Sequence, residues 1–122
     1  MSPEQQTQMF ALMATFAGRF ERDSVRPLLH DWNRRIVLFD TGSEDGLAIS
    51  IQDGKLAGLD AINAAATNDG DVVIRGKSDD LMGLLNGSLS PGQAVLEDRI
   101  LVSAQPEDQL KLDALSFALW DD

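Results

Sequence analysis

Apolar residues recur at Phe10, Met13, Phe16 or Ala17, and Phe20, the spacing of an amphipathic helix over residues 3–20. Ser2 stands where an N-cap is expected, Pro3 at the first helical position and Glu4 in the first turn. Arg26-Pro27 interrupts this pattern, and a short turn or helix is expected over 27–31. The period then changes. WNRRIVLFD, residues 32–40, is rich in β-branched and aromatic residues and predicts a first strand. After the turn TGSEDG, LAISIQ sets Leu47, Ile49 and Ile51 against Ala48 and Ser50, the two-residue alternation of a half-buried strand. Asp53-Gly54 is a tight-hairpin signal, and KLAGLD continues as a third strand.

Residues 61–70, AINAAATNDG, read as a loop, with a helical turn as the alternative, before a fourth strand, DVVIRG, at 71–76. Ser78 is placed to cap a helix through DDLMGLL, with Asp79 and Asp80 where the helix dipole favours anions. Gly87 ends that helix and Pro91 opens another. RILVS predicts a fifth strand. PEDQLKLDALSFALW predicts a last helix, with Leu112, Leu115 and Leu119 on one stripe. No repeat or long linker divides the chain, so 1–122 reads as one α+β domain: a helix, a three-strand meander, a strand, two short helices, a strand and a final helix.

A chain of 122 residues supports one hydrophobic core, and 43% apolar with 25% charged residues is a globular composition. No apolar run reaches the roughly 18 residues of a membrane span, and MSPEQQTQMF lacks the basic start and apolar centre of a secretion signal, so a cytoplasmic location is expected. A net charge of -10 argues against nucleic acid, whose binding depends on cations that displace counterions from phosphates. The charge is uneven: residues 1–35 carry five Arg against four acids, and 36–122 carry five basic groups against sixteen acids. Any transient contact with an anionic membrane or an acidic enzyme is therefore expected through the N-terminal third.

Catalytic material is sparse. Zero cysteines exclude disulfides and thiolate chemistry, and a single histidine, His30, leaves little for a zinc or hydrolase site. His30-Asp31 is the one neighbouring base and acid, yet adjacent residues on a turn point in different directions and no G-x-S-x-G accompanies them. Asp79-Asp80 is explained by its helix terminus, and TGSEDG lacks the spacing of a calcium loop. Asn86-Gly87-Ser88 is a chance sequon in a chain with no secretion signal. No catalytic residue, metal or cofactor is expected. What stands out is an excess of large flexible apolar side chains, Met9, Phe10, Met13, Phe16 and Phe20, suited to adaptable binding surfaces as well as to cores.

The stretch from Trp32 to Asp40, the hairpin at Asp53-Gly54, and DVVIRGKSDDLMGLLNGSLSPGQAVLEDRILV together resemble the sterol carrier protein 2-like (SCP2) family over roughly residues 32–119. Asp71, Leu81, Leu85, Gly87, Pro91, Ala94, Ile100 and Val102 carry the likeness. Members often have glycines on either side of the last strand, where this chain has Asp98-Arg99 and Ser103-Ala104. The chain also ends in WDD, without the peroxisomal signal of some eukaryotic members, which suits a bacterial protein.

The resemblance implies a mainly antiparallel five-stranded sheet covered by terminal and short helices, with a hydrophobic tunnel that carries a fatty acid, acyl-CoA, sterol-like or isoprenoid molecule, and no catalysis. Phe10, Met13, Phe16 and Phe20 of the first helix and Leu112, Leu115 and Leu119 of the last would line or gate the tunnel. Leu47, Ile49, Ile51, Ile100 and Val102 would form its floor, and Arg34 or Arg35 would supply a polar mouth. Two other readings stay open. One is a ligand-free assembly subunit that forms a homodimer or docks on a partner enzyme, for example in quinone biosynthesis. The other is an enzyme built on His30.

Overall fold

The computed structural model describes residues 3–30, 32–42, 45–63 and 72–120. Helix α1 (Pro3–Ala17) passes at Gly18 into a 3-10 turn, Gly18–Glu21, so two helical forms share the pattern over residues 3–20. Met9, Met13, Phe16 and Ala17 make the buried stripe of α1, and Phe20 of the tighter turn is buried with them. Helix α2 (Arg26–Leu29) holds Pro27 in its first turn, where the missing N–H costs nothing. The predicted cap Ser2 and the acid Asp31 lie outside the described residues.

Strand β1 (Arg34–Asp40) starts two residues later than predicted. Trp32 is not in the strand: its backbone N–H donates to Leu29 O and its indole N–H to Asp108 Oδ1 at 2.8 Å, which turns the ring toward the last helix. Strands β2 (Asp45–Gln52) and β3 (Lys55–Asn63) form a hairpin through Asp53 and Gly54, both at positive φ (51° and 77°), as a two-residue turn of matching twist requires. A bulge opposite Ser50/Ile51 interrupts the register. β3 outruns its prediction by three residues, because Ala61, Ile62 and Asn63 find partners in Leu47, Gly46 and Asp45. The rest of the predicted loop, 64–70, and Asp71 lie outside the described residues.

β4 (Val72–Gly76) leads to α3 (Ser78–Asn86). Lys77, not Ser78, holds the N-cap position, and no side chain caps it; Ser78 is the first helical residue. Gly87 closes α3 at φ 84°, the left-handed conformation that a glycine adopts without a Cβ penalty. Ser90 caps α4 (Pro91–Leu96) by accepting from Gln93 N–H. β5 (Ile100–Ser103) and α5 (Pro106–Trp120) complete the chain. Asp98 enters β5 at φ 56°, so the corner where the resemblance expects a glycine does adopt a glycine-like backbone, carried here by aspartate.

The described residues form one five-stranded sheet in the order β3-β2-β1-β4-β5, with β1 and β4 parallel and the other pairs antiparallel. The architecture is the α+β arrangement the sequence predicts. Alternation sends Ile36, Leu38, Leu47, Ile49, Ile51, Val72 and Ile74 to the face that packs with the helices. Val37, Phe39, Ala48 and Val73 form a smaller buried cluster on the opposite face. The unbroken run Ile36-Val37-Leu38-Phe39 carries the signal of a strand buried on both sides.

Candidate hydrophobic ligand site

The main apolar cluster is built by three layers of contribution. α1 and its 3-10 turn supply Met9, Met13, Phe16 and Phe20; α5 supplies Leu115 and Leu119; the sheet supplies Leu47, Ile49, Ile51 and Ile100. Met13, Leu47 and Leu115 are each at most 1% exposed. Phe10, Val102 and Leu112 are partly buried at its margin. All twelve side chains that the sequence offered as tunnel wall or floor thus contribute to one cluster or pack against its rim. The pattern missed others in the same cluster. Val25 and Leu29 of the α1–β1 connection, Trp32, and Leu84, Leu85 and Leu89 around the end of α3 are buried there too. Leu84 and Leu85 were visible as an apolar pair, whereas Val25 and Leu29 stand in a polar, proline-broken stretch that offered no period.

Aromatic contacts fix the meeting of the terminal helices. The Phe16 ring lies 4.7 Å from Trp120 and 6.0 Å, edge to face, from Phe20. Polar bonds join the same elements. Arg19 Nη1 donates to Leu119 O at 2.8 Å and Arg22 Nη1 to Ala118 O at 3.1 Å, placing two cations at the negative end of α5. The Trp120 indole N–H donates to Leu84 O at 2.9 Å. These bonds tie the turn after α1 to α5 and α5 to α3, while Met13, Phe16 and Leu115 meet the sheet through apolar contact.

At its other end α5 is held differently. Asp108, 3% exposed, accepts from Trp32 Nε1 and from Arg34 Nε at 2.9 Å, and Lys111 lies over the Trp32 ring. Burial by itself raises the carboxyl pKa, but hydrogen bonds from Trp32 and Arg34, with the charges of Arg34 and Lys111, outweigh it and hold Asp108 below its ordinary value. Arg34 is therefore committed to a protein carboxylate instead of standing at a mouth, and Arg35 is half-buried on β1.

The other chemical candidates are scattered. His30 is exposed just after α2, and its neighbour Asp31 is outside the described residues. Asp79 is exposed; Asp80 pairs with Arg99 at 3.2 Å. Asn86 uses its side chain to accept from Ser88 N–H, a local turn bond. Of TGSEDG, Ser43 and Glu44 lie outside the described residues. Among the described residues, no three of His, Cys, Asp and Glu come together as a metal site would require, and no helix is long and apolar enough to cross a membrane.

The profile of the SCP-2 sterol transfer family matches residues 15–115, most of the chain. The chain belongs to that family. Solved structures of the family share its fold. The sterol carrier protein domain 2 of Helicoverpa armigera superposes with a TM-score of 0.63 at 17% identity, over 100% of this chain and 94% of that one. Palmitated SCP2L2 from Aedes aegypti gives 0.58 at 15%, over 95% of each chain. The UbiJ-SCP2 ubiquinone synthesis protein gives 0.60 at 9%, over 100% and 98%. At these identities the likeness establishes the fold alone. Comparison with the curated proteins returns no match.

Proposed function

We propose that the protein binds and carries a lipid or another long apolar molecule, without converting it, between its terminal helices and the sheet face they cover. The observation that carries this reading is the single cluster in which Met13, Phe16 and Phe20, Leu115 and Leu119, and Leu47, Ile49 and Ile51 meet, in a chain of the SCP-2 sterol transfer family. The palmitated Aedes aegypti relative of the same fold supports a fatty-acyl ligand.

Energetics shape how such a site works. A dry, empty space of about 300 Å³ costs roughly 7 kcal/mol, comparable to the whole stability of a small domain. The free protein therefore closes its helices on the sheet, and a ligand enters by parting them. Away from the Asp108–Arg34 pair, apolar contact holds this boundary, so the ligand replaces like with like. Affinity follows buried apolar area, about 25 cal/mol per Å², and grows with chain length more than with head-group chemistry.

Native mass spectrometry of freshly purified protein, followed by solvent extraction, tests the proposal. One fatty-acyl or isoprenoid molecule per chain is expected. A ligand-free protein that also fails to take up added palmitate would sink it. The superposition with the UbiJ-SCP2 ubiquinone synthesis protein over nearly the full length of both chains favours a second reading, in which the domain docks on a biosynthetic enzyme. A stable complex with such an enzyme, formed equally well by ligand-free protein, would favour that reading over carriage.

A further inference from the structure

The two edges of the sheet are built differently. The outer edge at β3 is nine residues long and carries Lys55, Asp60 and a bulge, all devices that discourage another strand from pairing. The outer edge at β5 reads Ile-Leu-Val-Ser, with no charge, proline or bulge within it. Its main-chain groups on the side away from β4 make no hydrogen bond among the described residues. Leu101 is 71% exposed, and Val95 and Leu96 of the adjoining α4 are 47% and 86% exposed. Among the described residues, three of the five exposed large apolar side chains thus belong to this one α4–β5 segment.

Register shows what Leu101 does. It stands beside Arg75, which stands beside Phe39, so Leu101 lies at the sheet edge on the face of the buried Val37, Phe39, Ala48 and Val73 cluster, with the Arg75 side chain between it and Phe39. We propose that β5 pairs antiparallel with β5 of a second copy of this chain, joining two sheets into one across a twofold axis. Centred on Leu101, the pairing sets Leu101 against its own mate, Ile100 against Val102 and Arg99 against Ser103, so one face of the joined sheet continues with Ile100 and Val102 and the other meets at a Leu101 pair flanked by Arg99 and Ser103.

Charge selects this edge. Two copies that each carry -10 repel over most of their surfaces, and a neutral strand is where they can approach. Antiparallel pairing places Asp98 opposite Ala104 and Glu97 opposite Gln105, so no like charges face each other across the strands. A parallel arrangement would put each charge beside its own copy. The twofold pairing also consumes both open edges and closes at two chains, whereas pairing to the guarded β3 edge would continue without end. A four-residue strand makes few main-chain bonds, so the association is weak and depends on concentration.

Sedimentation velocity over about a hundredfold range of protein concentration tests the proposal, with Leu101→Lys and Leu110→Lys as paired variants. Both side chains are more than 70% exposed, so neither change disturbs the core. The parent is expected to pass from monomer to dimer, Leu101→Lys to raise the dissociation constant by about tenfold or more, and Leu110→Lys to leave it unchanged. In the parent, amide exchange of Ile100–Ser103 should slow as concentration rises, a readout independent of any variant. A chain that stays monomeric throughout, or a dimer insensitive to Leu101→Lys with no added protection of β5, overturns the proposal. Carriage of lipid by a monomer would be untouched by that result.

Discussion

Asp108 is buried yet charged, and its position is tolerable only because two donors meet it. The Trp32 indole and the Arg34 guanidinium occupy both carboxylate oxygens, and their pull against desolvation leaves the pKa below 3.8. A carboxyl whose pKa is depressed by folding stabilises the fold above its unfolded value, and that contribution is lost as pH falls through the folded value. Asp108→Asn keeps an acceptor for Trp32 but loses the charge, so it is expected to cost about 1–2 kcal/mol at pH 7. The gap between parent and variant should narrow at about pH 3, below the carboxyl's ordinary value, as pH falls toward the depressed folded value. Urea unfolding at both pH values measures this; parent and variant of equal stability at pH 7 would show that the triad holds nothing. None of it was legible locally. Trp32 read as the first residue of a strand and Asp108 drew no reading beyond its place in the last helix, because the contact joins residues 76 positions apart.

The elements were more legible than their ends. Period-two alternation found β2, and glycine and proline marked the α3–α4 passage, since those signals are local: Gly87 takes φ 84° and Pro91 opens α4 as their chemistry requires. Ends decided by pairing were not local, and β3 gained Ala61–Asn63 from its neighbour despite weak strand propensity. The corner before β5 shows both kinds of information at once. Its departure from the family's glycine was visible as Asp98, and the backbone there is nevertheless left-handed, at φ 56°. Aspartate tolerates that region better than most residues but retains a Cβ clash that glycine lacks. Asp98→Gly is accordingly expected to stabilise by about 0.5–1 kcal/mol and Asp98→Ala to destabilise by about 1 kcal/mol, opposite signs from two small residues. Thermal unfolding of the pair checks it, and two shifts of the same sign would mean that the side chain, not the backbone, governs this corner.

At the scale of the whole molecule, carriage requires that one boundary be weaker than the rest. The turn after α1 is bonded to α5 through Arg19 and Arg22, α5 to α3 through Trp120, and the sheet through its ladders; Asp108 and Arg34 pin the start of α5 to β1, so the apolar interface away from that pin is where the fold can part. Met13 sits in that interface, 0% exposed, with a flexible side chain that can repack around a guest. Met13→Trp fills the space a guest would take and overpacks the closed state, at a cost of about 1–3 kcal/mol. Palmitate at about a hundred times its dissociation constant is expected to stabilise the parent by roughly 2.7 kcal/mol, a rise in Tm on the order of 10 °C. Met13→Trp should lose most of that rise, while Leu96→Trp, adding the same ring at a site 86% exposed, should keep it. Both variants are compared with their own ligand-free Tm, which separates a blocked site from a merely less stable fold. If Met13→Trp gains as much from palmitate as the parent does, α1 is not part of the wall, and the guest lies elsewhere in the cluster.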